Sequence, residues 1–170
     1  MFSDLSSEDF VSEGGLIAVD VGLTCGLAWF DAFGSLLAVR AARFPSRGTL
    51  RRGALPVLRA LRASAGVDVD PSEIVVEGDP RHARAWLRAG EQLGAWGRRI
   101  DAPVWRQALL RPADCHDGSA AKAAALRLAT PLVEAAGVHR SGALTDDVAE
   151  AVCIGLWALG SGHRRGGGLA

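Results

Sequence analysis

The 170 residues include no tyrosine, one methionine, one lysine and three cysteines, and basic and acidic side chains cancel at 19 each. Without tyrosine, no tyrosyl nucleophile can exist. Cys25, Cys115 and Cys153 are far apart and odd in number, so they make neither a Cys-x-x-Cys pair nor a disulfide framework. A reducing, cytoplasmic setting is the expectation that follows. No run of about 18 apolar residues is long enough to span a bilayer, and the acidic start lacks the basic and apolar regions of a signal peptide, so no membrane partner is expected. What remains is a chain that is 49% hydrophobic and 22% charged. A chain of this length buries well over half of its unfolded surface as one domain, without disulfides or a structural metal.

A formal net charge of zero and a pI near 6.9 argue at first against a nucleic-acid binder, whose affinity comes from bases neutralising phosphates. Distribution changes that reading. The first 20 residues hold Asp4, Glu8, Asp9, Glu13 and Asp20 and no base. Between Arg40 and Arg62 lie seven arginines and no acid, and between Arg81 and Arg111 seven more against Glu91 and Asp101. Every base but Lys122 is arginine, which suits bidentate phosphate contacts and is equally what a GC-rich genome would produce.

Residues 1–14 read as a flexible acidic leader, 15–160 as a single domain and 161–170 as a disordered tail. Short apolar runs at Leu16 to Val21, Cys25 to Phe30 and Ser35 to Phe44, separated by tight turns, read as three antiparallel strands. Arg47 to Ala65 has helical spacing with Pro56 as a kink, and Ile74 to Glu77 is a fourth strand after Asp70-Pro71. Arg81 to Ile100 reads as a second helix and Ala102 to Arg106 as a fifth strand. An alanine-rich helix begins at Ser119, bent or restarted at Thr130-Pro131, and a last helix runs from about Thr145 to Leu159. This order predicts an α/β chain with a five-stranded mixed sheet flanked by helices, the element order of the ribonuclease H-like fold.

Carboxylates fall where that order gathers them. Asp20 ends strand one, Glu77 ends strand four, and Asp146, Asp147 and Glu150 open the last helix. Crowded carboxylates cannot all ionise without a cation, and hard divalent ions take oxygen ligands; two such ions can activate water and stabilise the leaving oxygen of a phosphodiester. Asp147 and Glu150 share a helix face at i, i+3, as do Asp146 and Glu150 at i, i+4, so Asp146 is the backup ligand to Asp147. Each acid also has a plain structural reading. Asp20 and Glu77 sit in turn sequences, and Asp147 with Glu150 could form a capping box.

The set resembles the RuvC-type Holliday-junction resolvases. Val19-Asp20-Val21-Gly22 with Gly26-Leu27 stands where that family has its first Asp, Glu77 matches its strand-four Glu, and Asp147-Val-Ala-Glu150-Ala-Val is similar to its closing helix. Ala120-Ala121-Lys122 resembles its basic residue in the preceding helix. Val21 replaces a Pro, Glu150 an Asp, and Pro80 stands where several resolvases carry an aromatic. The resemblance implies a structure-specific endonuclease that hydrolyses branched DNA with two Mg²⁺ or Mn²⁺ ions, bridged by Asp20 and held by Glu77, Asp147 and Glu150. It also implies a phosphate contact from Lys122 and a homodimer through the helix after strand four, here Arg84 to Arg99 with Leu87, Leu93 and Trp96; the two arginine blocks add Arg81, Arg84, Arg47 and Arg51 as expected nucleic-acid contacts. No organic cofactor is implied. The other readings are a YqgF-like nuclease acting on ribosomal RNA precursors and an inactive ribonuclease H-like binding module. Gly22, Thr24 and Gly26 also resemble the phosphate hairpin of actin-like ATPases, which need two lobes where this chain supplies one. Asp114-Cys115-His116-Asp117 lacks the second pair of a zinc site and reads as loop and cap. His82 and His116 are minor candidates to assist near the metals.

Overall fold

The computed structural model describes residues 14–67, 70–138 and 142–162. The expected leader therefore lies outside the described residues except at residue 14, and the expected tail except at 161 and 162. The first three strands are β1 (Gly15–Val21), β2 (Thr24–Phe30) and β3 (Leu36–Arg43). They form the antiparallel meander that their short turns require. After helix α1 (Arg47–Ala65), strand β4 (Pro71–Gly78) returns beside β1 and parallel to it. The sheet order is β3-β2-β1-β4-β5, with β5 (Trp96–Ile100) parallel to β4 at the edge.

Both faces of the sheet are covered, so the central strands are apolar on both sides. Ile17, Val19, Leu27, Trp29, Ile74 and Val76 face α1 and α2 (Pro80–Glu91). Leu16, Ala18, Ala28, Phe30 and Val75 face α3 (Ala102–Leu109), α4 (Gly118–Ala136) and α5 (Asp146–Gly162). Helix α5 is the most apolar of these. Ala149, Ala151, Val152, Cys153 and Ile154 are all buried, because it lies between α4 and the middle of the sheet.

The helices start where their sequences provide caps. Ser46 and Thr49 form a reciprocal capping box on α1, and the Asp79 and Asp117 side chains accept from backbone N–H groups of the first turns of α2 and α4. Helix α1 runs unbroken through Pro56 and α4 through Pro131, so of the expected bend or restart at Thr130-Pro131 the restart does not occur.

Two expectations fail in the middle of the chain. The segment Arg81 to Ile100 is not one helix. It ends at Glu91, turns at Gly94 with φ of 81°, and continues as β5; a left-handed residue cannot extend a helix, and glycine takes that conformation without a Cβ clash. The segment Ala102 to Arg106 is not a strand but the start of α3, with Pro103 in its first turn, where a missing N–H costs nothing. The expected dimer seam changes with them. Leu87 and Leu93 are half-buried against the core beneath α1 and α2, and Trp96 stands 57% exposed on β5 rather than on a helix.

Candidate metal centre

Three elements bring the acids to one end of the sheet. Asp20 is in register with Glu77 on the neighbouring parallel strand and with Gly26 on the antiparallel one. By strand alternation Asp20 follows Leu16 and Ala18, and Glu77 follows Val75, onto the face that α5 covers. The start of α5 then sits directly on β2. A Cβ at Gly26 would overlap the carbonyl of Asp147, so that glycine is what lets the helix backbone approach the strand. At the other end of the contact, Gly155 leaves room for the Phe30 ring.

This packing places carboxylate oxygens of Asp20, Asp147 and Glu150 within 4.8 Å of one another. Glu150 is only 3% exposed. Burial and the charges of Glu150, Glu77 and Asp147 push the Asp20 carboxyl up to about 9, with Lys122 opposing. Burial and the Glu150 charge likewise raise Glu77, opposed by Arg106 and by the Trp105 indole N–H. That N–H is near Glu77 but reaches no partner in hydrogen-bond geometry among the described residues. Burial, then Asp146, raises Asp147. The protein alone therefore keeps a proton on a group that ionises freely in water. Such a donor set is short of positive charge, and an oxygen-seeking divalent cation fits it.

The two adjacent aspartates part company. Lys122 Nζ donates to Asp146 Oδ2 at 2.7 Å on the more exposed rim, and this bond holds Asp146 below the usual carboxylate range. Asp147 turns toward Asp20 and Glu150. Neither residue caps α5, since the Val148 N–H goes to the Thr145 hydroxyl and the Ala149 N–H to the Thr145 carbonyl. Glu77 lies beside Asp20 without joining the three converging carboxylates.

The remaining candidates divide by face. Arg51, Arg81 and Arg84 line a groove of about 390 Å³ between α1 and α2, with Arg88 alongside and no acid in its walls. Arg47 donates from Nε to His82 Nε2 at 3.1 Å at the start of the same helices. These arginines lie across the sheet from the carboxylates, whereas Lys122 lies on the carboxylate side. His116 follows a short 3₁₀ turn (Pro112–Cys115), where Asp114 pairs with Arg111 and Arg127 and Asp117 caps α4. Those are the loop and cap roles expected of that cluster. Trp29, Trp86 and Trp105 are core residues. The Cys25 and Cys153 thiols are buried and pushed up to about 11 and about 12, which leaves neither as a thiolate near neutrality.

Sequence reasoning missed Arg106. Its Nη2 donates to Glu150 Oε1 at 2.7 Å, across 44 residues of chain. The available signal was its place about one turn into a helix that starts at the same end of the sheet as Asp20 and Glu77. It was hidden because this segment reads as a strand.

No family model and no curated protein matches the chain. Among solved structures it is similar to the T. thermophilus RuvC structure in complex with a Holliday junction substrate. That match has 19% identity and a TM-score of 0.57, and it covers 91% of this chain and 96% of that one. A second T. thermophilus RuvC structure aligns at 17% identity and a TM-score of 0.55 over 89% of this chain and 96% of that one. The fold is the RuvC-like, ribonuclease H-like fold. No helix among the described residues is long and apolar enough to cross a membrane.

Proposed function

We propose that the chain is a metal-dependent endonuclease that hydrolyses phosphodiesters in branched DNA. The observation that carries this reading is the convergence of Asp20, Asp147 and Glu150 from two elements at one end of the sheet, with Glu77 beside them. The likeness of fold to RuvC, one of whose structures is a complex with a Holliday junction substrate, supports it. Asp20, Asp147 and Glu150 would hold a divalent cation, Mg²⁺ or Mn²⁺. When bound, the cation would supply an acidified water and an electrophilic partner for phosphoryl oxygen.

The chain's own residues have separate tasks. Glu77, kept above the usual carboxylate range by burial, is placed to take a proton from a water beside Asp20. Lys122, held by Asp146 at the exposed rim, meets a phosphate at the mouth of the site. Arg47, Arg51, Arg81 and Arg84 grip the backbone of the DNA away from the cut. Resolving a four-way junction takes two symmetric cuts, so the working form is a two-fold dimer.

The test compares a four-way DNA junction, linear duplex and structured precursor RNA with Mg²⁺ or Mn²⁺. Preferential cutting of the junction, lost in Asp20→Asn while binding persists, is the expected result. Preference for the RNA would point to the ribosomal-precursor nuclease instead. Cleavage of nothing, with binding intact, would leave a binding module.

A further inference from the structure

The cluster already contains one cation. Arg106 reaches it from α3, and its guanidinium bonds to Glu150, the most deeply buried acid of the set. The same charge acts on Glu77, which stands next to Asp20 in the sheet. Arg106 thus pairs with Glu150 and its charge bears on Glu77, the two carboxylates whose neighbourhood a second divalent ion would need. Its Nε is buried and has no hydrogen-bond partner among the described residues. The side chain is held with one donor unsatisfied, by its bond to Glu150 and by the Trp105 ring, 5.4 Å from the guanidinium carbon to its centroid. Unlike lysine, an arginine cannot be neutralised to make room for a metal.

The charge count points the same way. Asp20, Glu77, Asp147 and Glu150 bring four negative charges when ionised. One divalent ion and one guanidinium bring three positive ones, a near balance. A second divalent ion would raise the positive side to five and would have to sit beside Arg106.

We infer that Arg106 is a built-in cation standing in for a second metal ion, so that the centre holds a single divalent ion per chain, on Asp20, Asp147 and Glu150. This rests on the metal-dependent reading proposed above. It makes the two halves of the site chemically unequal. The three-carboxylate side takes an ion that can acidify water. Beside Glu77 is a fixed guanidinium, which can stabilise charge on a phosphoryl or leaving oxygen but cannot itself acidify water.

Mn²⁺ binding to the full chain without nucleic acid tests this, with free ion counted by its paramagnetic resonance signal. One ion per chain is expected for the wild type, and two for Arg106→Gln. Two ions in the wild type, or still one in Arg106→Gln, would overturn the inference while leaving the metal-dependent reading intact. Failure of the wild type to bind any ion would remove that reading and the inference with it. Because Arg106→Gln strips Glu150 of its partner and can impair folding, the wild type also gives an answer by itself. At saturating Mn²⁺ it should show the spectrum of an isolated ion, and the spin-coupled spectrum of a close Mn²⁺ pair would sink the idea.

Discussion

The backbone of Asp147 rests on Gly26, with no space between them for one further carbon atom. The start of α5 is therefore positioned by a strand glycine, and the carboxylates of Asp147 and Glu150 are carried with it. Gly26→Ala should lift this end of the helix, destabilise the fold by about 1–3 kcal/mol and weaken Mn²⁺ binding by about 10-fold or more. Gly118→Ala, in open space at the first residue of α4, is the control and should leave both properties near wild type. Thermal melts with and without Mn²⁺ measure the pair.

The adjacent aspartates should respond unequally. Asp147→Asn removes a member of the converging triad and should lower cleavage by about 100-fold or more. Asp146→Asn breaks a rim ion pair with Lys122 and should cost less than about 10-fold, seen mainly as weaker substrate binding. Single-turnover rates at saturating substrate separate the two effects. Equal losses would show that both aspartates serve the ion.

Stability should depend on pH in a direction set by Asp20. Its folded carboxyl is raised to about 9 from an ordinary 3.8, so between those values the metal-free folded chain holds a proton that the unfolded chain has released. Stability should then fall as pH rises across that window, by at most about 1.4 kcal/mol per pH unit for one proton. A bound divalent cation replaces the proton, so Mg²⁺ or Mn²⁺ should raise the melting temperature more at pH 8 than at pH 5. Asp20→Asn should flatten the pH dependence and abolish the metal effect. Melting curves at several pH values, with chelator or with metal, provide the check.

The arginine groove should act on affinity without acting on chemistry. Arg84→Ala with Arg88→Ala removes two of the four arginines lining it. Each lost phosphate contact should reduce the slope of log affinity against log salt by about one. Fluorescence anisotropy with Ca²⁺ in place of Mg²⁺ would measure binding in the absence of cutting. An unchanged slope would exclude the groove from the DNA path.

Much of this molecule could be read before its structure, for reasons specific to each part. The meander, β4, α1 and α5 carry either unbroken apolar runs or clear helical spacing, and Asp20, Glu77, Asp147 and Glu150 fall at the ends of those elements. The stretch from Arg81 to Arg106 misled because Trp96-Gly-Arg-Arg-Ile is a short edge strand with a mostly polar surface. Such a strand needs little apolar pattern, and its arginines continue the composition of α2. Only Gly94, at a positive φ, marks the break. Misplacing β5 displaced α3, and with it Arg106 disappeared from the site. A residue that meets its partner 44 positions away leaves no local signature, so its role emerges only once the order of strands at that edge is right.

The division of the molecule by its sheet also bears on how it would meet a partner. Carboxylates gather beneath α5 and arginines between α1 and α2, so the described residues carry an electrical asymmetry from one face of the sheet to the other. In a polyanion's field the molecule would experience a torque before it experienced a net pull, turning the arginine side to lead and the acidic side to trail. Binding a divalent ion weakens the trailing pole, so the same ion that completes the site would also reduce the penalty for swinging that site toward the phosphates.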